Sequence, residues 1–174
     1  MKPTIITGRA FTIERDGRLI ENIDTDMIFH NRHLAITEIA EMGQHTFGNL
    51  DNYTDFPKRV QPGDILFVGS NFGCGSSRQQ AVDCFRSLGV SLIVGLSFGA
   101  IYYRNAVNSA MPIIVAPAIE GIAIETGDQI SVDLGSGLVD NITKSYKIEA
   151  AHGFSKVQKE IYRAGSIFAL GKTE

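Results

Sequence analysis

The chain has 174 residues, 44% hydrophobic and 20% charged, which fits one folded domain and argues against intrinsic disorder. Its 16 Lys and Arg against 19 Asp and Glu leave a formal charge of −3, unlike the basic footprint of a general nucleic-acid binder. Two cysteines exclude a disulfide scaffold and are too few to hold an iron–sulfur cluster or a structural zinc.

Residues 1–10 are mixed and polar, without the apolar core of a targeting signal, and no apolar run approaches a membrane span. The expected setting is the cytoplasm, with free thiols and no membrane partner. Residues 4–14, rich in Ile, Thr and Phe, predict a strand. Asp16-Gly17 predicts a hairpin turn, with residues 19–23 as the return strand. A polar cluster, Asn22-Ile23-Asp24-Thr25-Asp26, then reads as a turn closing on Met27-Ile28-Phe29. A weak helix follows, with Thr37 as its N-cap and Ile39, Ala40, Met42 and Phe47 partly at helical spacing. Residues 51–62 read as a surface loop or linker.

The middle of the chain carries the clearest pattern. A Pro62-Gly63-Asp64 turn leads into an apolar strand at 65–68 and a Gly-rich loop at 69–75. A helix at 76–88 buries Ala81, Val82, Phe85 and Leu88 and ends at Gly89. A strand at 91–96, a helix at 99–110 and a strand at 113–116 complete the series. Continuous apolar strands alternating with helices predict a parallel sheet with right-handed crossovers, hence an α/β fold. Beyond Pro117, residues 129–134 and 138–142 predict a hairpin, and 154–164 a closing helix.

Chemistry concentrates in Asn71-Phe72-Gly73-Cys74-Gly75-Ser76-Ser77-Arg78, between a strand and a helix. Free amides at a helix start and the guanidinium of Arg78 suit a carboxylate or phosphate. Gly73 and Gly75 would let backbone approach such a ligand, and either serine could take a proton if activated. The structural alternative is that Ser76 or Ser77 caps the helix, since Gln follows three residues later in each case. The P-loop lysine is missing. Asp24 and Asp26 suit local turn bonds better than a glycosidase pair. The four histidines show no metal-ligand spacing. Tyr102 and Tyr103 read as core or interface residues. Cys84 falls on the core side of its helix and reads as a buried thiol.

The segment 71–78, with Ser97-Phe98, Tyr103-Arg104-Asn105-Ala106, Pro112 and the Asn22–Asp26 cluster, resembles the small subunits of 3-isopropylmalate dehydratase, the swivel-domain part of the aconitase superfamily. The resemblance runs in register from about Gly8 to Ala116 and more loosely to the end. It implies one swivelling β/β/α domain over residues 1–174, with parallel strands joined by helices. It implies no cofactor in this chain and a large-subunit partner that carries a [4Fe–4S] cluster. The implied reaction isomerises 2- and 3-isopropylmalate by dehydration and rehydration, in leucine biosynthesis.

By the same resemblance, Ser76 is the base that removes the carbon-bound proton and Asp26 an active-site aspartate. Ser77, Arg78 and Thr25 lie at substrate-binding positions. Arg32 aligns with a basic position that would reach a carboxylate; a solvated surface arginine is the alternative. His33, Leu34, Ala35, Ile36 and Thr37 occupy the specificity loop. Homoaconitases, whose substrate has a further carboxylate, carry an arginine where Ala35 stands, so an apolar substrate group is expected here.

The chain also departs from the family pattern. Gln79 and Gln80 replace the usual Glu and His, which brings an ion pair to Arg78 into question. Gly99-Ala100 replaces an Ala-Arg pair and removes a basic group. Other hydroxy-dicarboxylates (homoaconitate, citraconate, dimethylmalate) and a non-catalytic anion-binding module are the alternative functions.

Overall fold

A computed structural model describes residues 2–150 and 152–172. The expected extent of 1–174 also takes in Met1, Ala151, Thr173 and Glu174, which lie outside the described residues.

In chain order, strand β1 (Ile5–Thr12) leads into a small hairpin of β2 (Glu14–Arg15) and β3 (Arg18–Leu19). Single helical turns follow as α1 (Thr25–Ile28), α2 (Ile39–Met42) and α3 (Phe56–Arg59). The middle is β4 (Ile65–Val68), α4 (Gln80–Ser87), β5 (Leu92–Gly95), α5 (Ala100–Asn108) and β6 (Ile113–Val115). The chain closes through β7 (Gln129–Asp133), β8 (Leu138–Asn141), β9 (Tyr146–Glu149), α6 (Lys156–Ala164) and α7 (Ile167–Leu170).

One seven-stranded sheet, in the order β6-β5-β4-β1-β7-β8-β9, organises the chain. The β1–β4, β4–β5 and β5–β6 pairs are parallel, as the alternation of apolar strands and helices predicts. From β7 onward the pairing is antiparallel. Every residue of β4 and β5 is buried, because helices or loops cover both faces. Side chains alternate across these strands. Leu66, Val68 and Ile93 join an aromatic core beneath α4 and α5. Ile65, Phe67, Leu92 and Val94 join a second core with Ile130, Val132, Phe154 and Tyr162.

The Asp16-Gly17 turn forms with φ of 53° and 72°, the positive pair that a two-residue hairpin turn requires. Its return strand is only Arg18–Leu19, because Asn22 turns away at φ 55° and donates its N–H to the Ser70 carbonyl. The Thr37-capped helix shrinks to one turn at Ile39–Met42, with Glu38 in the N-cap position. Phe47 lies outside it, fully buried at φ 57°.

Residues 51–62 are not a solvated loop. Tyr53, Phe56 and Val60 are buried, and α3 forms within the segment. Sequence pattern missed this because the apolar residues serve a cluster formed with distant chain. Phe56 meets Phe11 edge-on at 5.0 Å and Phe47 at 4.9 Å, and Phe47 meets Phe85 at 5.4 Å. Such edge-to-face contacts add to the stabilisation from burial. The expected hairpin at 129–142 gains a third antiparallel strand, β9, at the end of the same sheet. Phe47→Ala should cost about 3–5 kcal/mol, read as a lowered urea midpoint at unchanged slope.

Candidate active site

The carboxyl ends of the parallel strands point to one region, the end of an α/β sheet where ligands bind. Beyond β4 runs the loop 69–78; beyond β5 run Ser97, Phe98 and the start of α5. The segment 22–26 is laced onto the first loop by backbone hydrogen bonds. Gly73 donates to the Ile23 carbonyl at 2.7 Å and Thr25 to the Cys74 carbonyl at 2.9 Å. Phe72 donates to Ser97, and Gly99 to Phe72. Two irregular segments thus supply each other's missing partners.

Glycine has a different task here from the expected one. Gly73 has φ 76°, and a Cβ there would run into the Tyr102 ring. Gly75, at φ 91°, faces Asp24 and Thr25. Gly73 admits the neighbouring ring, and both glycines adopt a left-handed backbone that a side chain would strain.

Helix α4 starts at Gln80, later than expected, with Gln79 as an N-cap that makes no side-chain capping bond. The capping alternative for Ser76 and Ser77 is therefore overturned, because both precede the helix. Both serines are exposed. The Ser76 hydroxyl has no hydrogen-bond partner among the described residues, while its carbonyl accepts from Thr25 Oγ1 at 2.8 Å. Ser77 Oγ accepts from Asn105 Nδ2 of α5 at 3.2 Å.

Arg78 donates from Nη1 to Asp26 Oδ1 at 2.7 Å and to the Phe29 carbonyl at 2.9 Å. The departure at position 79 does not disturb this pair, because its anion is Asp26; Gln79 turns to Asp83 instead. Nε and Nη2 of Arg78 remain uncommitted among the described residues, as half a fork for a carboxylate. Asp26 also accepts from Asn31 N and from Asn49 Nδ2. The bond from Arg78 holds its carboxyl below the usual aspartate range, ahead of the opposing effect of burial. Asp26 is therefore ionised at neutral pH, and its bonds are more than the local turn contacts expected for it. Asp24 does serve locally: it caps α1 by accepting from Met27 N.

The specificity-loop residues adjoin this group. A 3-10 turn at Asn31–His33 follows α1, and Leu34 O accepts from Gln80 Nε2. Leu34, Ala35 and Thr37 are exposed, with His33 and Ile36 half-buried. Arg32 is exposed and donates from Nε to His33 Nε2. Tyr102 is buried, with its hydroxyl donating to Ala81 O, and Tyr103 accepts from Gln158 of α6.

Asn49 was missed by sequence reasoning. It sits in a turn with no motif of its own, and only the fold of 43–50 over α1 brings it to Asp26. Asn105 was noticed as a family position, but its contact with Ser77 depends on where α5 lands.

No three His, Cys, Asp or Glu side chains gather as metal ligands among the described residues. Cys84 is fully buried, donates to Ala81 O, and has its thiol pushed up to about 12 by burial. A thiol so protected from ionisation does not suit cluster ligation, which needs thiolates.

Strand ends, a glycine loop, exposed hydroxyls and an ion-paired arginine lie together on this α/β domain. The aconitase C-terminal domain family matches residues 15–117. The 3-isopropylmalate dehydratase small subunit of Caldicellulosiruptor saccharolyticus is 40% identical over 155 residues, covering 88% of this chain and 87% of that one. The 2,3-dimethylmalate dehydratase small subunit of Eubacterium barkeri is 35% identical over 147 residues, covering 84% and 88%. The crystal structure of 3-isopropylmalate dehydratase from Methanocaldococcus jannaschii superimposes with a TM-score of 0.82 at 33% identity, covering 97% of this chain and 94% of that one. The chain belongs to the aconitase C-terminal domain family, in its branch of dehydratase small subunits.

The lowered Asp26 pKa has a definite sign. Its stabilisation is present above the unfolded aspartate value and is lost as pH falls through the folded one. Asp26→Asn should therefore lower the melting temperature at pH 7, and the difference from the unaltered chain should close as pH drops below the aspartate range. A constant difference at all pH values would refute the ion-pair account.

Proposed function

We propose that this chain is the small subunit of a hydro-lyase that interconverts 2- and 3-isopropylmalate, the exchange used in leucine biosynthesis. The observation that carries this reading is the meeting of Thr25 and Asp26 with Ser76, Ser77 and Arg78 at one edge of the sheet, in a chain related throughout to such subunits. In this reading residues 1–174 act as one swivelling domain, in the cytoplasm. Nucleic acid and membrane play no part; no helix among the described residues is long and apolar enough to cross a membrane.

The partner is a large subunit carrying a [4Fe–4S] cluster, which supplies a Lewis acid for the hydroxyl of the substrate. This chain contributes the remaining groups. Ser76 serves as base in its deprotonated form: the alkoxide oxygen takes the proton from the carbon beside a carboxylate and becomes the neutral hydroxyl, and no group among the described residues occupies that oxygen. Ser77 and the free side of Arg78 bind the carboxylate and stabilise charge as it develops. Asp26 serves by fixing Arg78: its oxygens are already engaged by Arg78, Asn31 and Asn49, which suits an anchoring anion better than a proton carrier. Thr25 holds the Ser76 backbone. Arg32 reaches a second carboxylate, and Leu34 to Thr37 face the isopropyl group, since Ala35 offers no charge to a third carboxylate.

A second reading keeps the chemistry and changes the substrate to 2,3-dimethylmalate; the Eubacterium barkeri relative favours it. Relative kcat/KM for the two acids, measured on the assembled enzyme, separates them.

Ser76→Ala, assembled with the large subunit, should lose about 10²–10⁴ in kcat with a melting temperature unchanged from the parent. Full activity in that variant would remove the base assignment. Arg78→Lys should raise KM for the dicarboxylate, because an ammonium cannot serve Asp26, the Phe29 carbonyl and a carboxylate as a fork does.

A further inference from the structure

The imidazoles of His33 and His45 stack at a centroid separation of 3.8 Å and an angle of 19°. They come from different elements: His33 ends the 3-10 turn at Asn31–His33, and His45 ends the one at Gly43–His45. The Phe29 ring meets both edge-on, at 6.0 and 6.3 Å. His33 Nε2 accepts from Arg32 Nε at 3.0 Å. His33 is therefore neutral and carries its proton on Nδ1. The terminal nitrogens of Arg32 remain uncommitted among the described residues. An exposed arginine ordinarily samples many rotamers. This one is held by a ring that is itself held by a second ring.

We propose that His45 is a positioning residue for dicarboxylate binding: stacked on His33, it fixes the imidazole that aims the Arg32 guanidinium at a substrate carboxylate. This rests on the reading that Arg32 binds substrate. His45 does not touch the substrate; it acts through His33.

The arrangement also makes binding sensitive to pH. Protonated His33 would be a donor where Arg32 needs an acceptor, and it would stand as a new cation beside Arg32. The charged and titratable groups facing it are Arg32 and His30 from its own turn and His45 from the other. Burial first, then His45, Arg32 and His30, hold its pKa below the ordinary histidine value. The acceptor is therefore intact at neutral pH and fails as the solution becomes acidic.

The test uses the enzyme assembled with its large subunit and compares KM and kcat across pH. His45→Ala should raise KM roughly five- to tenfold with kcat little changed, whereas His45→Phe, which keeps a stacking ring, should restore KM. The parent should show KM rising on the acid side. His33→Gln, whose amide oxygen accepts from Arg32 at every pH, should flatten that rise. If Arg32→Ala raises KM and His45→Ala does not, the positioning role is overturned and the Arg32 reading stands. If Arg32→Ala leaves KM unchanged, the Arg32 reading falls and the inference falls with it. A His45→Ala effect confined to kcat, or an acid rise that persists in His33→Gln, also overturns the proposal.

Discussion

The bond between Arg78 and Asp26 ties together two segments that have almost no regular structure. Arg78 lies on the loop after β4, and Asp26 lies in a single turn of helix 52 residues earlier in the chain. Neither segment could hold its shape through local hydrogen bonds alone. The ion pair is only partly exposed, at 13% for Arg78 and 33% for Asp26, so solvent screens it less than a surface pair. Its value is geometric as much as energetic. It spends one nitrogen of the guanidinium and leaves the other two without a partner among the described residues.

Rigidity beneath this bond comes from aromatic packing. Phe72, within the loop 69–78, meets Tyr102 at 5.4 Å and Phe98 at 6.2 Å. Tyr102 in turn occupies the space that a side chain at Gly73 would take. The loop therefore sits on a dense apolar floor, and its polar residues have one direction left to face. The same floor extends through Phe85, Phe47 and Phe56 to Phe11 on β1. A loop built this way stays ordered without the regular ladder that would bury its hydroxyls.

An outward-facing site also explains why the polar groups here look incomplete. Ser76, Ser77 and Arg32 are exposed, with no wall among the described residues to shield them from water. Carboxylate chemistry with a weakly acidic carbon needs a site from which water is excluded. Under the proposed function, a large subunit that closes over the strand ends supplies that exclusion. The loop after α1 lies at the rim of this opening, tied by Asn31 to Asp26 and by Leu34 to Gln80.

The sequence by itself determined the alternation of β4, α4, β5, α5 and β6, because continuous apolar strands and one-sided helices have few other ways to bury themselves. It also determined the Asp16-Gly17 turn, the buried thiol of Cys84, and the chemical character of the Gly-Cys-Gly-Ser-Ser-Arg loop. These are matters of local period and residue type. Only the tertiary structure decided the rest. It anchored residues 51–62 through three buried side chains: Phe56 packs on Phe47, on Phe11 of β1 and on Phe85 of α4, and the Tyr53 hydroxyl reaches Thr12 and Glu14. It moved the start of α4 beyond Ser77, and so released both serines from capping. It gave Arg78 to Asp26 in place of the residue at 79, and it brought Asn49, Asn105 and the His33–His45 stack to one edge. Each of these depends on a contact between segments far apart in the chain, and the energy of such a contact is absent from any local window of sequence.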